Sequence, residues 1–308
     1  MPLPTDTKVL ETSQGLLDAL HGIFGPHPGF RPAHAKGILL KGVFKPTPEA
    51  AALSKAAHFN NPETPIIGRF SSSTGIPQLP DTDPNGNPRG FAIRFTLAET
   101  PRRLHTDIIA HSTPFFPAGT PDDALKFFQS VRDGSVGDWV GSHAEALAFV
   151  QAPKPTPSAF GREKYFSVNA YKFIAADGTE TFVRYRILPI AGEDYLSEEE
   201  VKGKSAEFLY EGVKGVLGSG PVEFKLVAQV AAEGDVTNNA TSYWPEDRKL
   251  VELGRLSLSE LVEDDAGEQK RIIFDPVPRV EGVESSDDPL LEIRAGLYLL
   301  SGKERRAA

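Results

Sequence analysis

The sequence predicts an α+β protein built on an antiparallel sheet or closed barrel, with helices at its ends and inserted between strands. Three observations carry this. About eight segments have strand patterning, and their short connections make most neighbours antiparallel. One of them, "YFSVNAYKFIAADGTETFVRYRILPI", is a hairpin signal with Asp177-Gly178 at its turn. Helical spacing appears at the chain ends and across 121–151, where "DALKFFQSV" brings its apolar residues onto one face.

Taken in order, residues 1–30 begin as helix and pass into the Gly/Pro-rich "FGPHPGFRP". "KGILLKGVF" from Lys36 is a strand, and "EAAALSKAAHF" from Glu49 a short helix. "PIIGRFSSS" and "RGFAIRFTL" are two further strands, the second alternating Phe91, Ile93, Phe95 and Leu97 against Ala92, Arg94 and Thr96. Between them "TGIPQLPDTDPNGNP" is a long loop of turn residues, and a loop of that length usually has a job. "HTDIIAHSTPFF" is a strand running into a Pro-rich loop. "LSEEEVKGKSAEFLYEGV" is a helix capped by Ser197. "PVEFKLVAQVA" and "LVELGRLSLSEL" complete the strands. In "SDDPLLEIRAGLYLLSG", Asp288 is the expected N-cap and Pro289 the first residue of a terminal helix for which Gly302 is one candidate end and a run on to Arg305 the other.

The 308 residues, 40% hydrophobic, are enough for a large core. A net charge of -9 gives no support for a nucleic-acid partner, and no run is long enough to span a bilayer. The N-terminus lacks a signal-peptide pattern, so the expected location is cytoplasmic. With no cysteine, disulfides, thiolate catalysis and cysteine-bound metals are excluded. Methionine occurs once, at the start; a chain so poor in sulfur suits an oxidising milieu.

Several familiar motifs fail. "GVKGVLGSG" leads into a strand, whereas a dinucleotide fingerprint opens a helix. "GLYLLSGKE" has the wrong glycine spacing for a P-loop, and Glu304 stands where Ser or Thr is needed. His105 and His111, six apart, fit no common metal spacing, and there is no HExxH or GxSxG.

What survives is the terminal helix. Tyr298 follows Arg294 by four residues, which places the two about 40° apart around a helix, and Arg305 falls in the same arc. A guanidinium one turn from a phenol favours the phenolate, a hard anionic ligand suited to ferric haem. At the other end, His34 sits just before a strand, three residues after Arg31, and Arg69 precedes Ser71 by two.

These segments together resemble the haem catalase superfamily. "RPAHAKG" is similar to its distal-histidine motif. "GRFSSSTGIP" followed by "DPNGNPRGFAIRF" is similar to the segment that passes along the haem into the barrel. "RAGLYLLSGKER" is similar to the proximal-tyrosine motif. The resemblance runs in order from about Gly29 to Arg306, and "WPEDRKLVELG" and "VESSDDPLL" are similar to its short branch, the catalase-related peroxidases. It implies an eight-stranded antiparallel β-barrel with surrounding helices. It also implies one haem domain over 1–308, with an N-terminal arm at 1–28 and a proximal-ligand helix at 286–308.

The implied cofactor is haem b, ferric iron protoporphyrin IX. The implied partners are peroxide and a small organic reductant, with a homodimer or larger assembly by family analogy. Residue by residue, Tyr298 is implied as axial ligand, Arg294 as its charge partner and His34 as the distal acid–base group. Ser71 orients that imidazole, and Arg31, Arg69 and Arg305 meet the propionates. The family's distal asparagine before a Thr-Pro pair is matched to Ser112, and the haem-covering phenylalanine to Phe127 out of Phe115, Phe116, Phe127 and Phe128. The implied activity is peroxidase with weak catalase. Two alternatives are a hydroperoxide isomerase or lyase, where Ala33 stands in place of an expected threonine, and a haem-binding barrel without catalysis.

Overall fold

The computed structural model describes residues 3–308. Its strands are β1 (Gly37–Pro46), β2 (Thr64–Ser71), β3 (Gly90–Ala98), β4 (Leu104–His111), β5 (Thr156–Pro157), β6 (Tyr165–Phe166), β7 (Tyr171–Ile174), β8 (Glu180–Pro189), β9 (Tyr195–Leu196), β10 (Val222–Val230), β11 (Leu250–Leu261) and β12 (Val283–Ser285). Eight of them follow one another in the order β10-β11-β1-β2-β3-β4-β6-β8, and β8 pairs back onto β10. The pairings are antiparallel throughout, so the sheet closes on itself and has no free edge within the ring. β7 and β12 extend the sheet outward from β8, while β5 and β9 form a separate two-stranded ribbon.

Alternation along the strands decides what lies inside. Phe70, Phe91 and Ala110 are register partners across β2, β3 and β4, and all three are buried in the barrel interior. Phe70 stacks on Phe91 at 4.5 Å and on Phe160 at 5.0 Å between centroids. Burying each such ring stabilises by about 2–3 kcal/mol. Leu40, Phe44, Ile93, Phe95, Phe224 and Leu256 fill the rest to close packing. A barrel so filled has no interior room for a ligand, and any site must be built on its outer face.

That face is covered by helices. The first, Thr7–Phe24, is capped by the Asp6 carboxylate accepting from Val9 N–H at 3.0 Å. It packs against the helices Pro121–Arg132 and Leu290–Ala307. No helix among the described residues is long and apolar enough to cross a membrane.

Three local expectations change. The helix from Glu49 breaks into Pro48–Leu53 and Ala57–Asn60, because Ser54 turns extended and its hydroxyl donates to the Gly282 carbonyl at 2.7 Å. The helix after Ser197 has the expected N-cap, here completed to a capping box by Glu200, but stops at Lys202, and a second helix, Phe208–Leu217, follows. In the terminal helix Pro289 occupies the N-cap position, although Asp288 still accepts from Leu290 N–H at 3.0 Å. That helix continues through Gly302 to Ala307; the glycine is there because a Cβ would run into Ile273.

Candidate active site

The outer face of β2, β3 and β4 forms one wall of the site. Ser71, Gly90 and His111 are direct register partners across these strands, so they share a face, opposite to Phe70, Phe91 and Ala110. The neighbouring outward row is Arg69, Ala92 and Ile109. All six line a cavity of about 240 Å³, counted as room for the centres of water-sized molecules. The facing wall is helical: Leu290, Ile293, Arg294, Leu297, Tyr298, Ser301 and Arg305 of the terminal helix look into the same space.

His34 stands on the barrel wall. It is the single non-glycine residue with positive φ among the described residues, at 55°. Such a conformation costs roughly 1–3 kcal/mol and persists only where surroundings enforce it. Here the His34 N–H donates to the Ser73 carbonyl at 3.1 Å, and Arg69 Nη2 donates to the His34 carbonyl at 2.9 Å. The ring lies over Gly90, with Nδ1 3.0 Å from Ser71 Oγ. A Cβ on Gly90 would fall 2.8 Å from that Nδ1 and 2.5 Å from Ser71 Oγ, so glycine is what admits the imidazole. Burial, reinforced by Arg69, Arg31 and Arg294, pulls His34 down to about 3. It is neutral near pH 7 and able to accept a proton.

On the helical wall, Arg294 Nε donates to Tyr298 Oη at 3.1 Å. Arg294 Nη1 donates to Asn169 Oδ1, and Asn169 Nδ2 donates to Asp288 Oδ2 at 2.8 Å. The phenol, guanidinium, amide and carboxylate thus form one chain that anchors the tyrosine's partner. Burial opposes the charge on Arg294, but Tyr298, Tyr171 and Asp288 together outweigh it and raise its pKa.

Three further arginines gather at one end. Arg31 and Arg305 each donate to the Ile272 carbonyl, at 3.1 and 2.9 Å, and Arg69 Nε donates to Gln269 at 2.9 Å. Burial and then the charges of Arg69 and Arg305 lower Arg31 well below its usual value, and Asp265 offsets only part of this. Burial, then Arg69 and Arg306, bring Arg305 to about 10. Its Nε is buried without a hydrogen-bond partner. A cluster of buried cations short of anions fits a ligand that carries carboxylates at one edge. Apolar walls beyond it and one arginine-paired phenol fit a flat apolar body with a hard metal at its centre. Haem has all three features.

The structure therefore brings together His34, Ser71, Arg31, Arg69, Arg294, Tyr298 and Arg305, as expected. Two others of the expected residues do not line the cavity. Ser112 is outside the cavity wall; its hydroxyl accepts from the Arg89 backbone N–H at 3.0 Å, and the outward residue is its neighbour His111. One residue along a strand is the opposite face. Phe127 is 6% exposed and packs away from the cavity, whereas Phe128 and Phe116 line it. Neighbouring helix positions point about 100° apart. Gly90 and Asn169 were also missed. Alternation of Asp107, Ile109 and His111 against the apolar Ile108 and Ala110 was the signal available for His111.

The same arrangement of chain is found in known proteins. The catalase family profile matches residues 29–307. A catalase-related peroxidase of Mycolicibacterium paratuberculosis is 32% identical, covering 96% of this chain and 95% of its own. A catalase-related peroxidase of Synechococcus elongatus is 30% identical, covering 96% and 88%. A fungal catalase crystal structure superposes with a TM-score of 0.80 at 23% identity, over 94% of this chain and 62% of that one. With a family match of that extent and relatives aligned along nearly its whole length, this chain belongs to the catalase family.

Proposed function

We propose that this chain is a haem b-dependent peroxidase that reduces hydrogen peroxide or an organic peroxide with a small organic donor and has weak catalase activity. The observation that carries the reading is a single cavity with an arginine-paired phenol on one wall and a serine-held neutral imidazole on the other. Peroxidase is favoured over catalase as the main activity because relatives named catalase-related peroxidase align at 30–32% identity over 96% of the chain.

Bound haem supplies the redox chemistry. Tyr298 Oη would hold the haem iron, and the Arg294 guanidinium 3.1 Å away would balance the negative charge that metal binding leaves on it. Arg31, Arg69 and Arg305 would receive the two propionates, which would supply the missing anions of that cluster. Phe116 and Phe128 add apolar aromatic surface to the cavity wall. With Nδ1–H donating to Ser71 Oγ, His34 keeps the lone pair of Nε2 for the incoming peroxide. It can take the proton from one peroxide oxygen and hold it on Nε2 for return to the other, while bound haem would supply the two electrons that O–O cleavage to water requires.

An absorption spectrum and donor oxidation test this together. The haem-loaded protein is expected to show a phenolate-ligated ferric spectrum, which Tyr298→Phe abolishes. His34→Ala keeps the spectrum and slows peroxide-dependent donor oxidation by roughly 10²–10⁴-fold. Full activity in His34→Ala overturns the reading. Product analysis with a fatty-acid hydroperoxide separates reduction from isomerisation.

A further inference from the structure

Resting on the peroxidase reading, we propose that His111 is a donor-only imidazole that holds small protic ligands jointly with His34. His34 accepts the ligand's proton, and His111 Nε2–H donates to the atom that proton leaves or to its neighbour. The chemical class is a small neutral acid HX: a peroxide or hydrogen cyanide.

Three observations carry this. The first is the tautomer. The backbone N–H of Thr113, which can only donate, points to His111 Nδ1 at 3.3 Å, and Thr113 Oγ1 lies 2.6 Å from the same nitrogen. Nδ1 is therefore an acceptor, and a neutral ring must carry its proton on Nε2. The second is the orientation. The ring lines the cavity, and among the described residues Nε2 has no hydrogen-bond partner. The third is the juxtaposition. His111 is the direct register partner of Gly90, and the His34 ring occupies the space that a side chain on Gly90 would fill. Paired residues on adjacent strands lie about 5 Å apart, so the two imidazoles stand side by side over adjacent strands.

The charges facing His111 support the neutral form. Burial, then His34, Arg294 and Lys154, pull it down to about 3. Protonation at Nδ1 would also set that N–H against the Thr113 backbone N–H. The two histidines thus divide the work: one gives a hydrogen bond and the other takes a proton. On binding, the H–X bond breaks, its proton goes to His34 Nε2, and X keeps the electron pair as the anion that ferric haem would hold.

Two measurements test it. In the haem-free protein, nitrogen NMR at pH 7 is expected to show His111 protonated at Nε2 and bare at Nδ1; the reverse tautomer overturns the proposal. In the ferric haem-loaded protein, cyanide is titrated by the shift of the Soret band. His111→Leu is expected to weaken cyanide about tenfold, the worth of one hydrogen bond. His111→Asn, whose amide also donates, is expected to bind within about threefold of the parent. Equal affinity in His111→Leu, or equal loss in His111→Asn, defeats the proposal alone. A wild-type protein without a Soret band sinks the haem reading, whereas the reverse tautomer or unchanged cyanide affinity in a protein that does bind haem sinks this inference alone.

Discussion

Replacing Gly90 with alanine tests the geometry of the distal wall with one methyl group. Gly90 does not have a positive φ, so alanine brings no backbone strain of its own. The whole effect is steric. The new Cβ would sit 2.5 Å from Ser71 Oγ, 2.8 Å from His34 Nδ1 and 3.0 Å from His34 Cε1, where ordinary contact begins at 3.4 Å. The ring must therefore withdraw by about 0.6 Å and the hydroxyl by about 0.9 Å. The His34 backbone cannot retreat with it, because its N–H is bonded to Ser73 at 3.1 Å and its carbonyl to Arg69 at 2.9 Å. The ring tilts instead, and the 3.0 Å contact with Ser71 is lost. Breaking that bond costs about 1 kcal/mol of stability, so the protein stays folded. A displacement approaching 1 Å at a catalytic group costs up to roughly 10²-fold in rate. The expected result is a fall of about 10- to 100-fold in the second-order rate of peroxide consumption. Haem content, read from the Soret band, should stay close to wild type. A variant that consumes peroxide within about twofold of the parent at equal haem content would refute the claim that Gly90 exists to seat His34.

Two further outcomes follow from buried charge. Arg305→Met should weaken binding of iron-free protoporphyrin by roughly 10- to 100-fold, the worth of a charged hydrogen bond, and the loss should vanish with the dimethyl ester, which has no carboxylates. Equal losses for both porphyrins would show that Arg305 supports packing only. His58 is 1% exposed among Phe59 and Phe95, its Nδ1 has no partner, and burial draws it down to about 3. Its folded pKa is below its unfolded one, so its share of stability is complete above about pH 6.5 and falls as acid is added toward pH 3. Between pH 7 and 5 the loss is about 2 kcal/mol for this group. His58→Phe should remove that part of the acid sensitivity in urea unfolding at the two pH values; an unchanged difference would mean that His58 stays protonated or exposed in the fold.

What the sequence disclosed follows the range of the physics involved. The terminal helix was legible because its signal is local: Arg294, Tyr298 and Arg305 fall on one face by the pitch of the helix alone. The strands were legible through period-two alternation, and Ser197 through a cap formed within three residues. Where a neighbour far along the chain decides, the reading failed. Ser54 leaves its helix for the Gly282 carbonyl, and Gly302 is glycine because Ile273 packs where a Cβ would stand, so it marks a close contact inside the helix and not its end. Asn169 carries no local mark, since its role comes from Arg294 and Asp288, 125 and 119 residues away.

The distal wall is the clearest case, and it also shows why the site lies where it does. The barrel interior is filled by rings such as Phe70, Phe91 and Phe224, so polar chemistry is confined to the outward rows. Those rows are set by register between strands, which no single segment contains. Matching "HSTP" to a motif selects Ser112, yet the pleat puts Ser112 beside the Arg89 backbone and turns His111 outward. Closure of the barrel then rules out adjustment by sliding: shifting β4 by one residue against β3 would send Ile108 and Ala110 out of the core. The apolar register of the inner face therefore fixes which polar residues meet on the outer one. Ser71, the gap at Gly90 and His111 are held in line by the packing of Phe70, Phe91 and Ala110 behind them.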